Sequence, residues 1–270
     1  MKKILIIFIG IILLNVTSGC GLINREYNNS INNKVVNVED YTISDLETNV
    51  NAVAEKIEDS SVAIYDSNYI ESSLGSGVVI SRVIYDVNGN ETDDLSRAFE
   101  FKYYVVTNYH VVESYSTRIK IYTKENVVNP AYQADATLVK YDIQRDLALL
   151  TFNSRVLLVP VTFGDSSQLK KGDFVIAIGT PLSLEYFNTT SFGIVGHPSR
   201  IVSDNGVDNC YIQHDAAINP GNSGGGLFDI EGKLIGINTS RAYDDKTSVY
   251  GISFAVSSNT VYQLFKEFIK

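Results

Sequence analysis

Between about residue 60 and residue 256 the hydrophobic positions fall in short runs, each closed by a turn-forming residue. SVAIYD, GSGVVIS, FKYYVVTN, TRIKIYT, ADATLVKYD and LALLTF are rich in β-branched and aromatic residues, which predicts strands. DFVIAIGT, SFGIVGHPSR, CYIQHD, GGLFD, KLIGINTS and GISFAVS form a second set. Two sets of about six strands without alternating helices predict an all-β fold of paired antiparallel barrels rather than a parallel sheet. The spacing places barrel one at about 60–153 and barrel two at about 156–256.

Helical spacing occurs only at the two ends of this unit. Leu46, Val50, Val53, Ala54 and Ile57 share a face of a short helix, opened by a capping box of Ser44 with Glu47 and running to about Asp59. Val261, Leu264, Phe265 and Phe268 share a face of a C-terminal helix over 257–270, capped by Ser257 or Ser258. The folded domain is therefore expected over 44–270.

The start of the chain has a different texture. Lys2 and Lys3 precede an apolar run from Ile4 to Leu14 that is short for a bilayer span, the layout of a secretory leader over residues 1–20. VTSGC, with small residues before Cys20, resembles a bacterial lipoprotein cleavage site, although Thr17 stands where an apolar residue is usual. Two outcomes stay open. In one, Cys20 is diacylated and anchors an extracytoplasmic protein to the membrane; in the other, the leader is cleaved near Gly19 and the protein is secreted. Residues 21–43 are Asn-rich and lack apolar periodicity, as a flexible tether would be. The second cysteine, Cys210, is expected to be a small buried apolar residue.

Composition narrows the function. A net charge of −9 and a pI near 4.8 disfavour nucleic acid, which requires a basic face. Asp86 to Asp94, DVNGNETDD, alternates oxygen side chains as calcium loops do, but Glu91 stands where an EF-hand needs Gly, so an Asn-Gly hairpin turn is the reading and no metal is expected.

INPGNSGGGLF surrounds Ser223 with glycine and satisfies G-x-S-x-G through Gly221 and Gly225. In an α/β-hydrolase that motif needs an acid and then a histidine after the serine. His110, His197 and His214 all precede Ser223, so that fold is excluded. The chain order does fit His, then Asp, then Ser. His110 closes the apolar strand VVTNYHVVE, and Asp146 immediately precedes the apolar run LALLTF, whereas the rival acid Asp142 precedes a polar stretch. A serine hydroxyl needs a base to take its proton, and the base needs an acid to fix its tautomer.

GSGVVIS, VVTNYHVV, RDLALL, GDSSQLKKGDFVIAIGTP, IQHDAAINPGNSGGGLFD, GKLIGINT and GISFAVS, in this order over roughly 50–260, resemble the protease domain of HtrA trypsin-like serine proteases. The resemblance implies two six-stranded antiparallel β-barrels of chymotrypsin type with the site in the cleft between them. It implies a triad of His110, Asp146 and Ser223, an oxyanion hole from the backbone N–H groups of Gly221 and Ser223, polypeptide substrates, and no cofactor. HtrA proteases typically carry C-terminal PDZ domains, whereas this sequence ends at the closing helix, so gating by such a domain is not expected. Pro220 replaces a residue that is often basic in the family, stiffening the turn. Asn222 precedes the serine where digestive enzymes place an Asp, so zymogen activation by that ion pair is not expected.

Ala217, six residues before Ser223, leaves no carboxylate to bind Lys or Arg. With Ile218 as a pocket wall, the resemblance implies Val, Ala or Ile before the cut; Arg241, if turned inward, would instead select an acidic residue. Two alternatives to the HtrA-like enzyme remain: a glutamyl-endopeptidase-like protease, and a non-catalytic protease-fold module that binds polypeptides as a chaperone does.

Overall fold

A computed structural model of the chain describes residues 43–67, 72–113, 118–127, 133–204, 207–241 and 250–269. The leader, Cys20 and the segment to residue 42 lie outside the described residues. The chain divides after Glu47, and the second unit, Thr48–Lys270, holds every strand described.

The first sheet comprises β1 (Ser61–Ser67), β2 (Ser72–Tyr85), β3 (Glu91–Thr92), β4 (Glu100–Thr107), β5 (Ile119–Tyr122), β6 (Ala134–Asp142) and β7 (Leu147–Ser154). Their order is β1-β5-β6-β7-β4-β2-β3, and the β1–β2 pairing closes six of them into an antiparallel barrel. The second sheet comprises β8 (Thr162–Phe163), β9 (Phe174–Gly179), β10 (Thr189–Asp204), β11 (Val207–His214), β12 (Gly226–Phe228), β13 (Lys233–Arg241) and β14 (Ser253–Ser257). Its order is β12-β9-β10-β11-β14-β13-β8, and the β12–β13 pairing again closes six. The appended β8 pairs with β13 in parallel. Closure pairs both edges of the six strands within each barrel, while the outer part of the β10–β11 hairpin is paired on one side only.

The alternation along three strands explains where the barrels join. On β7, Ala148, Leu150 and Phe152 point into barrel one, while Leu147 and Leu149 point out of it onto Ile176, Ile178 and Phe228 of barrel two. On β2, Val79 points in and Val78 and Ile80 point out; on β4, Phe101, Tyr103 and Val105 point in and Val106 points out. Strands buried on both faces read as continuous apolar runs, which accounts for LALL and VVI. Each fully buried Leu, Ile or Phe at this seam stabilises the fold by about 1.5–3 kcal/mol relative to exposure.

Both helices cap the same seam. Helix α1 (Ile43–Glu58) buries Val53 and Ile57, and Ser44 lies within its first turn rather than ahead of it. Helix α2 (Ser258–Phe265) is capped by Ser257, which accepts from the Thr260 N–H, and buries Val261 and Phe265. A single 3₁₀ turn, Lys266–Phe268, follows it.

In the 86–94 loop, Asp86 Oδ1 accepts from the N–H groups of Asn88 and Asn90, both at 2.9 Å, and Oδ2 pairs with Arg97 at 2.9 Å. The carboxylate thus folds a hairpin between β2 and β3. Cys210 corrects the sequence reading: it is exposed, not buried. The β10–β11 hairpin outgrows its barrel, and Ile201, the cross-strand partner of Cys210, is likewise exposed.

Candidate active site

Strand register brings the first two groups together. β4 and β7 pair with Thr107 opposite Ala148, so residues just past β4 meet residues just before β7. Beyond Thr107 the chain makes one 3₁₀ turn, Tyr109–Val111, pinned by buried Val111. On the facing side, Asp146 takes φ 52, a left-handed conformation that Asp tolerates better than most residues. Buried Asn108 holds that backbone, its Nδ2 donating to the Asp146 carbonyl at 2.8 Å.

The Asp146 carboxylate accepts three hydrogen bonds. The His110 N–H donates to Oδ1 at 3.0 Å; His110 Nδ1 and Thr239 Oγ1 both donate to Oδ2, at 2.8 and 2.7 Å. A carboxylate only accepts, so the imidazole proton sits on Nδ1 and Nε2 carries the lone pair. Burial lowers the His110 pKa, but the hydrogen bond and charge of Asp146, with Glu113, outweigh it and hold the pKa above its ordinary 6.5. Asp142, by contrast, is tied into its own turn, with Arg145 bound to its Oδ2 at 2.6 Å.

Ser223 comes from the loop between β11 and β12, which is anchored by Leu227 opposite Ala177 and by Gly226 opposite Ile237. Gly221 and Gly224 are both required there. Gly224 (φ 85) packs so closely on barrel one that a Cβ would stand 2.2 Å from Ser76 O; Gly221 (φ 98) would place one 2.3 Å from Thr180 O. Among the described residues, the N–H groups of Gly221 and Ser223 donate to no acceptor. A pair of unpartnered N–H groups beside a hydroxyl is built to receive negative charge. The Ser223 hydroxyl itself donates to Thr239 O at 2.9 Å, and no hydrogen bond joins it to His110.

The remaining groups sort plainly. Ala217 is exposed, its carbonyl accepting from Ser191 Oγ at 3.0 Å. Ile218, read as a pocket wall, is buried among Val175, Ala177, Val195 and Ile212 of barrel two. Arg241 ends β13, and its side chain lies outside the described residues. His197 is half-buried and accepts from the Ser199 N–H. Thr239, Asn108 and Ser76 were not singled out from sequence; the only signal was their place in the motifs GINTS, TNYH and GSG.

His214, the third histidine, ends β11. It is 1% exposed, no well-formed hydrogen bond reaches either ring nitrogen among the described residues, and burial lowers its pKa to about 4 against a weaker opposing pull from the Asn238 side chain and the Asp215 charge. The fold therefore binds the neutral ring. Above pH 6.5 this has no effect; as pH falls from there to about 4, the unfolded chain takes up a proton and stability drops, by on the order of 3 kcal/mol in all. Urea denaturation at intervals from pH 7.5 to 4.5 should show this slope, and His214→Leu should flatten it. Parallel curves for the two proteins would refute the assignment.

Comparison with known proteins agrees with this geometry. The model described as "Trypsin-like peptidase domain" matches residues 75–237. A Do-like HtrA serine protease of Lactococcus lactis subsp. cremoris is 34% identical over 90% of this chain and 61% of its own length. A probable periplasmic DegP-like serine endoprotease of Rickettsia conorii is 43% identical over 58% of this chain and 30% of its own length. The chain thus spans less than two thirds of these relatives. A solved HtrA-type protease with a bound tripeptide superposes with a TM-score of 0.62 at 28% identity, covering 81% of this chain and 62% of that one. With two closed barrels, an imidazole tied to a carboxylate and a serine loop with free N–H groups, the chain belongs to the trypsin-like peptidase family, and its relatives include HtrA proteases.

Proposed function

We propose that this chain is a serine endopeptidase that cleaves polypeptides through an acyl-enzyme on Ser223. The observation that carries the reading is the 2.8 Å bond from His110 Nδ1 to Asp146, which leaves Nε2 as a free base at the barrel seam. Arrival of substrate requires the Ser223 hydroxyl to leave Thr239 O and turn to Nε2, a side-chain rotation that is fast compared with turnover. Oγ then attacks the peptide carbonyl as its proton passes to Nε2. The oxyanion is met by the N–H groups of Gly221 and Ser223. His110 returns the proton to the leaving amine, and a water activated in the same way releases the acid.

The relatives are named for proteolysis, and one is named a "probable periplasmic" endoprotease; with the leader and Cys20, this supports action on polypeptides outside the cytoplasm, from a lipid anchor, with unfolded or damaged proteins as the proposed substrates. Among the described residues, no helix is long and apolar enough to cross a membrane. Ala217, with no carboxylate, supports apolar rather than basic residues before the cut. The test is labelling with a fluorophosphonate, which modifies only an activated serine, followed by peptide mapping. Modification of Ser223 together with cleavage of denatured casein is the expected result. An unlabelled, folded protein that still binds unfolded chains would overturn the enzyme in favour of a binding module.

A further inference from the structure

Ser76, on β2 of barrel one, is fully buried and bonded at every polar atom. Its N–H donates to Ser223 O at 2.8 Å, and its carbonyl accepts from Thr107 Oγ1 at 2.7 Å. Its hydroxyl donates to Gly221 O at 2.7 Å and accepts from the Thr180 N–H at 2.8 Å. One residue of barrel one therefore holds the carbonyls on either side of Asn222 in the serine loop of barrel two.

Gly221 has no Cβ, so nothing intrinsic keeps its N–H turned towards the site. Two partners outside the loop do so. The Leu182 N–H holds the carbonyl of Pro220 at 2.8 Å, fixing the peptide that contains the Gly221 N–H. The Ser76 hydroxyl holds the carbonyl of Gly221 itself, fixing the next peptide. With both planes set, the φ of 98 at Gly221 is determined, and with it the direction of its N–H.

We propose that Ser76 is a positioning residue for the oxyanion hole, acting through the Gly221 carbonyl rather than by touching substrate. The inference rests on the endopeptidase reading above. Losing one oxyanion donor outright lowers rates by about 10²–10³, and loosening one should do less, about 10–100-fold. Ser76→Ala should lower kcat by that factor with KM within about twofold. A peptide boronic acid, whose adduct with Ser223 places an oxygen in the hole, should weaken in parallel. Binding of the uncleaved peptide to a Ser223→Ala background should not change when Ser76→Ala is added.

Ser76→Cys keeps the side-chain size with a weaker donor and should show a smaller loss of the same kind; it decides the matter if Ser76→Ala does not fold. Folded variants with wild-type kcat and boronate affinity overturn the proposal, as does a loss confined to KM or one equal to the unfolded fraction measured by circular dichroism. Failure of wild-type Ser223 to react with fluorophosphonate would instead remove the endopeptidase reading, so the two failures are distinguishable.

Discussion

Ser223→Ala is expected to lower kcat by on the order of 10⁵–10⁶, to the level left by substrate binding and the oxyanion hole alone. The fold should hardly notice. The lost hydroxyl makes one hydrogen bond, to Thr239 O, in a half-buried setting, and such a bond contributes about 0.5–1.5 kcal/mol. For a domain of this size that is a shift of roughly 2–5 °C in Tm. The loop keeps its shape because Gly221 and Gly224 set it and the Ser223 carbonyl stays bonded to the Ser76 N–H. Hydrolysis of a quenched peptide by the purified variant, beside its melting curve, makes the measurement. A variant retaining a hundredth of the wild-type rate would exclude Ser223 as the nucleophile.

What was legible in the sequence follows from the range of each interaction. The strands could be read because β-branched runs and turn residues are local signals; that LALL packs on both faces came only from the fold. The appended β3 and β8 have two residues each, too few to show any period. Chain order alone distinguished the His110, Asp146 and Ser223 arrangement from a nucleophile elbow. The residues that hold this arrangement were not legible, because their contacts are long-range: Ser76 reaches Thr180 across 104 positions and Gly221 across 145. Ile218 shows a different limit. A pocket wall and a core position are both apolar, so the sequence alone does not show that Ile218 is buried in the cluster with Val175 and Ile212. His214 shows the same limit for a polar residue: nothing local in CYIQHD tells whether the fold buries the ring, as it does here.

Asp146→Asn should reduce kcat/KM by about 10⁴ while leaving the fold intact, the size seen when the triad carboxylate of a trypsin-like enzyme becomes an amide. The substitution is nearly isosteric, and Asn is among the few residues that accept the φ of 52 found here. The amide must still supply an acceptor to the His110 N–H, so its oxygen takes the place of Oδ1 and its NH₂ takes the place of Oδ2. There it faces His110 Nδ1 and the Thr239 hydroxyl, both donors to the wild-type carboxylate. The hydroxyl can turn to accept; the ring can do so only by moving its proton to Nε2. That is the nitrogen that must receive the Ser223 proton, so the base is lost although every atom is in place.

The pH profile gives an independent check. In the wild type, Asp146 and Glu113 hold the His110 pKa above 6.5 against the pull of burial, so activity should rise with pH through a midpoint above that value. The stability contributed by the pair runs the other way, fully present below pH 6.5 and lost as pH rises through the His110 pKa. In Asp146→Asn the midpoint of the residual activity should move down, because the charge that raised it is gone. Asp142→Asn, a change in the Arg145-bonded turn, should alter the rate by no more than about twofold. If Asp146→Asn keeps a tenth of the wild-type activity, or its midpoint stays where it was, the carboxylate does not orient His110.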